Sequence, residues 1–94
     1  EQKFDKGTVI LLDRGYNDYK LYERWNDRGC FFVTRLKKNA RFEKLERLPV
    51  PKSKSERVIS DEIVRLHGTT FKARRVVFYD PDKKEYVRIL TNNL

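Results

Sequence analysis

Asp13 is the residue of this 94-residue chain whose type and position best fit catalytic chemistry. It directly follows an apolar run, residues 8–12, and precedes a turn at Gly15. In open α/β sheets, functional groups collect at the carboxyl ends of strands. A carboxylate at such an end can hold a hard divalent cation such as Mg²⁺, although one carboxylate is never a whole metal site. The alternative role for Asp13 is to cap the turn after the strand.

Basic residues provide a second candidate chemistry, the binding of phosphate, because arginine forks onto phosphate oxygens and lysine adds a point charge. The first basic set follows the two apolar runs at the start of the chain and comprises Arg14, Arg35, Lys37 and Lys38. The second set lies later and comprises Arg65, Lys72, Arg74 and Arg75. Phe71 or Tyr79 is a candidate for stacking on a distorted base. Ordinary charge on a solvent-facing strand is the alternative explanation for both sets.

The remaining reactive side chains do not form a recognisable site. Cys30 is the only cysteine and lies in an apolar run, so it is expected to be a small buried side chain without a disulfide. His67 is the only histidine and is expected to lie in a turn. One cysteine and one histidine do not make a zinc site.

Composition indicates one small, soluble globular domain rather than a disordered chain, because charged and hydrophobic residues each make up 38%. No apolar run approaches the roughly 18 residues of a membrane span, and no secretion signal is recognisable. The chain lacks methionine and starts at Glu1, which predicts a piece of a longer protein.

The net charge of +8 is unevenly distributed along the chain. Seven Lys/Arg stand against six Asp/Glu in residues 1–36, whereas fifteen stand against eight in residues 37–94. This asymmetry predicts a polyanion partner for the later region. The alternative is a set of solvated lysines and arginines without a partner.

Two strands are predicted at the start of the chain, at residues 8–12 and 30–36. The continuous apolar run of the first is typical of a strand covered on both faces, as in parallel sheets. Sixteen residues separate Asp13 from Cys30, which is enough for a helical crossover. The two strands are therefore predicted to be parallel.

A helix is predicted between these strands. Asn17 or Asp18 can cap its start, and Gly29 is a natural terminator. Three aromatic residues recur at helical spacing and are expected to pack in the core: Tyr19, Tyr22 and Trp25.

The rest of the chain predicts antiparallel hairpins. Residues 41–48 favour a strand, with a short helix as the alternative, and residues 49–55 form a loop rich in proline and serine. Further strands are predicted at residues 58–59, 63–66, 73–79 and 86–91. A proline-containing turn at residues 80–84 joins the last two.

Several motifs resemble the DDE transposases of insertion sequences, in the subgroup that carries a β-rich insertion in the catalytic core. Asp13-Arg14-Gly15-Tyr16 is similar to the D-R-G-Y-like motif that holds the second catalytic aspartate in this family. The strand from Phe32 to Lys37 is similar to the F-V-x-R-x-K strand that follows the next helix. Residues 89–93 resemble the strand that ends the insertion. The resemblance covers nearly the whole chain.

The resemblance implies an α+β fold in which a strand–helix–strand piece of a ribonuclease H-like core is followed by antiparallel β hairpins. Residues 1–37 would be the partial catalytic core, and residues 38–94 the β-rich insertion with its return strand. Asp13 would bind Mg²⁺ together with an upstream aspartate and a downstream glutamate outside this internal fragment. Two ions about 4 Å apart would then catalyse phosphoryl transfer.

The resemblance also implies the partners and the location of the protein. The parent enzyme would act on DNA, at transposon ends and target, in the bacterial cytoplasm and at the nucleoid when bound. The fragment itself is expected to be inactive, since two carboxylates are missing. Self-association through residues 8–12 or 30–36 is expected, because a strand cut from its sheet exposes an edge. The alternative function is a stand-alone basic module that binds nucleic acid without catalysis.

Overall fold

One mixed sheet of six strands and one helix make up the computed structural model, which describes residues 5–12, 18–50 and 57–94. The elements in chain order are β1 (Val9–Leu12), α1 (Tyr19–Asp27), β2 (Phe31–Arg35), β3 (Phe42–Arg47), β4 (Val58–Leu66), β5 (Ala73–Asp80) and β6 (Glu85–Thr91). The order of strands across the sheet is β1-β2-β6-β5-β4-β3. The α+β class expected from the sequence is therefore confirmed in its broad form.

The strand–helix–strand unit has the predicted geometry. β1 and β2 are parallel, with Ile10 opposite Phe32. Asp18 caps α1, because its Oδ1 accepts a hydrogen bond from the backbone N–H of Leu21 at 3.1 Å. The helix ends before Gly29, whose φ of +76° is a left-handed conformation that glycine adopts without strain.

The aromatic stripe of α1 packs on the sheet, as predicted. The ring of Tyr22 stacks on that of Phe32 with centroids 4.9 Å apart, and Trp25 contacts both rings. Such pairs add about 0.5–1.5 kcal/mol each beyond the burial of their area. Cys30 is buried in the same cluster, which confirms the expectation for this thiol. Across the described ranges, no helix has the length and apolarity needed to cross a membrane.

The four later strands are antiparallel, and β6 joins them to the first unit by pairing with both β2 and β5. β3 is a strand, as favoured from the sequence. The loop predicted at residues 49–55 lies in part outside the described residues. The boundary predicted at residue 37 falls between β2 and β3 within this one sheet, and the division into domains stays a prediction.

One prediction for this region was wrong. Residues 58–66 form a single strand rather than two short segments separated by Ser60-Asp61-Glu62. Asp61 and Glu62 are buried in the middle of β4, where each accepts a hydrogen bond from an arginine of β5. The strand continues through two carboxylates because their charge is compensated by the neighbouring strand.

Asn92 fastens the end of β6 to the α1–β2 junction. Its Oδ1 accepts a hydrogen bond from the N–H of Phe32 at 2.9 Å, and its Nδ2 donates to the carbonyl of Cys30 and to Asn26. We expect Asn92→Ala to lower the free energy of unfolding by about 2 kcal/mol, since it removes the hydrogen bonds of Asn92 to a buried N–H and a buried carbonyl. Thermal denaturation measures the effect, and Asn93→Ala, at an exposed neighbour, is the matched control. Equal stability of the two variants would contradict this role.

Candidate functional site

The carboxyl ends of β1 and β2 lie side by side, because the two strands are parallel and Leu12 pairs with Thr34. Thr34 is buried between the neighbouring strands. Polar residues that follow these two positions in the sequence therefore start from one edge of the sheet. Of the predicted site residues, Asp13 and Arg14 lie outside the described residues.

Three residues of the first basic set lie at or just beyond the end of β2. Arg35 is the last residue of the strand, and its guanidinium contacts the Glu85 carboxylate at 3.4 Å. Lys37 and Lys38 are exposed in the turn that follows, where the N–H of Ala40 donates to the carbonyl of Lys37 at 3.1 Å. The structure thus brings Arg35, Lys37 and Lys38 to the same edge as the end of β1.

A shallow cleft of about 320 Å³ adjoins this edge. It forms because β6 extends past β2: the last residue of β2, Arg35, pairs with Ile89, and β6 begins four residues earlier at Glu85. The cleft is lined by three cationic and several other side chains: Arg35, Leu36, Lys37, Glu85, Tyr86, Val87 and Arg88. Its composition suits a phosphate group, although Glu85 already neutralises part of the positive charge.

Metal ligands are not assembled within the part of the chain that the structure describes. That part holds no group of three or more His, Cys, Asp or Glu side chains that could bind a metal ion. Glu85 lines the cleft, but its carboxylate is engaged by Arg35.

The second basic set consists of three arginines that form ion pairs across the sheet and one exposed lysine. Three of its arginines are held by carboxylates of adjacent strands: Arg65 by Glu43, Arg74 by Asp61, and Arg75 by Glu62. The hydrogen bonds from Arg74 to the Asp61 carboxylate raise the pKa of that guanidinium. Lys72 is exposed just before β5. Strand β6 lies between β2 and the strands that carry these residues, so the two basic sets are not brought together.

Phe71, Tyr79 and His67 differ in how far they are buried and in what they contact. Phe71 is only 7% exposed and packs edge-on against Phe32, so the proposal that it stacks on a base was wrong. Tyr79 is half-buried and contacts Tyr86, with ring centroids 5.2 Å apart. His67 lies in the turn after β4, as expected, and its N–H donates to the carbonyl of Arg41.

The ion pairs between neighbouring strands were not predicted from the sequence. Asp61-Glu62 and Arg74-Arg75 are adjacent acidic and basic doublets, and this complementarity was a usable signal for the β4–β5 pairing. Lys44, Arg47 and Arg88 had no distinguishing local pattern, and their arrangement depends on the register of the sheet.

The model of the transposase DDE domain family matches residues 1–91. Comparisons with curated proteins and with solved structures gave no significant match. The chain therefore belongs to the transposase DDE domain family, in agreement with the motifs around Asp13. Membership connects the chain with DNA transposition, and DDE domains generally use a divalent metal, typically Mg²⁺.

Proposed function

We propose that this chain is part of the ribonuclease H-like catalytic core of a DNA transposase, and that Asp13 is one of its three metal-binding carboxylates. The observation that carries the proposal is the parallel pairing of β1 and β2, whose carboxyl ends meet where Asp13 follows Leu12 in the sequence. This is the edge at which open α/β sheets collect functional groups. Cleavage and transfer of DNA strands during transposition of an insertion sequence is the activity that such a core would serve.

The residues of this chain would contribute one metal-binding carboxylate and several cations that bind DNA phosphates. When bound, two divalent ions would activate a water or a DNA 3′-hydroxyl and stabilise the leaving oxygen. Asp13 would bind metal through its carboxylate oxygens, which are the ligands that Mg²⁺ prefers. Arg14, Arg35, Lys37 and Lys38 would contact the phosphates on either side of the scissile bond, and so orient the DNA strand.

One carboxylate cannot position two ions, so this chain would not cleave DNA by itself. The other two carboxylates would come from an upstream strand that ends in aspartate and a downstream helix that carries glutamate. The experiment that tests the proposal is metal-dependent strand cleavage by the transposase with Asp13 replaced by asparagine, with DNA binding measured in parallel. DNA binding with unchanged cleavage would favour the alternative, a basic module that binds nucleic acid without catalysis.

The exposed apolar side chains of β1, the outermost strand of the sheet, support the expected self-association. β1 is an edge strand, and Val9 and Leu11 are 58% and 75% exposed. Unpaired edge strands with apolar side chains are templates for pairing with another strand. Contact between copies would therefore use residues 8–12 or 30–36. The same proposal assigns the transposase to the bacterial cytoplasm, at the nucleoid when it binds DNA.

Glu85 is expected to weaken DNA binding at the carboxyl edge. Its carboxylate contacts Arg35, so a DNA phosphate must compete with it for the guanidinium. We expect Glu85→Gln to raise the affinity for duplex DNA about threefold, because an exposed ion pair of this kind is worth roughly 0.2–1 kcal/mol. Fluorescence anisotropy at low salt measures the change. Asp82→Asn removes a charge from the exposed turn just before β6 and is the control, because Asp82 is not paired with Arg35. Equal gains for both variants would indicate a general charge effect only.

A further inference from the structure

The two faces of the sheet can be distinguished residue by residue from the strand register. Helix α1 packs on the face that carries Phe32, and directly paired residues share a face. The register then assigns the helix-side face across the sheet: Thr34 pairs with Leu90, Leu90 with Arg75, and Arg75 with Glu62. Residues that alternate with these belong to the opposite face.

The charged residues of β3 to β6 are unequally divided between these faces. The helix-side face carries four cations and one carboxylate, a net charge of +3: Lys44, Arg47, Arg75 and Arg88, with Glu62. The opposite face carries two cations and five carboxylates, a net charge of −3: Arg65 and Arg74, with Glu43, Glu46, Asp61, Asp80 and Glu85. The positive charge of these four strands therefore lies on the helix side.

A β-bulge creates part of this asymmetry. Lys44 and Arg47 are three residues apart and would lie on opposite faces of a regular strand. The register of β3 shifts between Lys44 and Glu46, so Lys44 pairs with Val64 and Arg47 pairs with Glu62. The extra residue, Leu45, thus brings both cations to the helix side.

The helix-side cations outnumber the carboxylate that they share. Glu62 binds the guanidinium of Arg75 at 2.8 Å and the ammonium of Lys44 at 3.3 Å. Lys44 is nevertheless 67% exposed, whereas Arg75 is 14% exposed and lies over the ring of Phe42. Among the residues that the structure describes, no carboxylate is paired with Arg47 or Arg88.

The opposite face has no such excess of cations over carboxylates. Arg65 is bound by Glu43 and Arg74 by Asp61, so both of its arginines are neutralised. Three further carboxylates lie on this face, and one of them, Glu85, is paired with Arg35 of β2 on the same face. The carboxylates of Glu46 and Asp80 remain to repel a polyanion that approached from this side. Arg65 and Arg74, which the sequence suggested as DNA contacts, thus face the unfavourable side.

We infer that the helix-side face of β3 to β6 is a binding surface for the phosphate backbone of duplex DNA. This inference rests on the proposed function and gives the DNA a direction across the helix side of the sheet, from β6 over β5 and β4 to β3. The strands of Arg88 and Arg47 are three spacings apart across the sheet, about 14 Å at ~4.8 Å per strand. That span is comparable with the ~12 Å width of the major groove, so the surface can reach phosphates on both of its sides.

Single replacements on the two faces test the inference. The chain is titrated with a fluorescein-labelled DNA duplex of unrelated sequence at several salt concentrations. We expect Arg47→Ala and Arg88→Ala each to weaken binding about three- to tenfold and to reduce the salt slope by about one. Arg65→Ala, an exposed arginine of the opposite face, is the matched control and should change the affinity less than about twofold. Circular dichroism of each variant confirms that the sheet is intact.

Two outcomes would overturn the inference. One is an affinity of Arg47→Ala and Arg88→Ala equal to that of the unmodified chain; the other is an equal loss in Arg65→Ala, which would mean that charge matters regardless of face. Either outcome leaves the proposed role of Asp13 standing, because that role is measured by strand cleavage in the transposase. Conversely, normal cleavage after replacement of Asp13 would remove the catalytic proposal without changing the result of the face comparison.

Discussion

Replacement of Asp13 by asparagine is expected to reduce metal-dependent strand cleavage by the transposase at least about 10³-fold. In the proposed site, the change would exchange an anionic oxygen ligand for a neutral amide and remove one of the charges that would hold the ions. Such ions would supply several kcal/mol of transition-state stabilisation. A loss of roughly 4 kcal/mol corresponds to this factor, since each 1.36 kcal/mol is tenfold in rate. DNA binding should be retained, because it rests on the basic residues.

A nearby aspartate offers a matched control for this variant. Asp18 is five residues further on and caps α1, a position that asparagine fills equally well. Asp18→Asn makes the same change of charge without loss of the cap, so cleavage should stay close to that of the unmodified enzyme. Strand cleavage on a labelled transposon-end duplex with Mg²⁺ measures both variants. Retained cleavage by Asp13→Asn would remove Asp13 from the site, and an equal loss in both variants would point to a structural cause.

Glu62→Gln is expected to change stability and DNA binding in opposite directions. The buried Glu62 carboxylate holds Arg75 and Lys44, and its loss leaves Arg75 largely buried without a counter-charge. Breaking such a pair from one side costs about 3 kcal/mol, and for a domain of this size the Tm should fall by roughly 15 °C. The same change removes the only carboxylate from the helix-side face of β3 to β6, so the affinity for duplex DNA should rise about threefold in low salt.

Stability is expected to fall while DNA affinity rises, and simple unfolding of the variant would not raise the affinity. Thermal denaturation gives the loss of stability, and anisotropy at a temperature where the variant is folded gives the affinity. Glu46→Gln is the control, because Glu46 is exposed on the opposite face of the neighbouring strand β3. It should change the Tm by no more than a few degrees. A stable Glu62→Gln variant would show that the ion pair is dispensable, and unchanged DNA affinity would argue against binding on the helix side.

The strand–helix–strand unit could be predicted from the sequence because its signals are local. The apolar run of β1, the capping residue Asp18 and the stop at Gly29 each act within one turn or one strand. The helical spacing of Tyr22 and Trp25 likewise predicted which side chains of the helix pack on the sheet. The family could be inferred in the same way, because its motifs are short runs around Asp13 and Phe32.

Strand β4 shows where local patterns fail. Ser60-Asp61-Glu62 has the composition of a turn, and only its partners Arg74 and Arg75, thirteen residues away on the next strand, make it part of a strand interior. The cost of burying these carboxylates is offset by contacts that no window of sequence contains. Phe71 is a similar case, since its burial depends on contact with Phe32 across the fold.

The strand–helix–strand unit, the family motifs and Asp13 as the candidate catalytic carboxylate could all be inferred from the sequence alone. Which arginines and lysines share a face, and which of them are neutralised, depends on the pairing of the strands in the folded sheet. The physical reason is that side-chain direction in a strand follows from register, and one extra residue reverses it. The bulge at Leu45 brings Lys44 and Arg47 to the same side, and the pairing of β6 with β5 adds Arg88 to them.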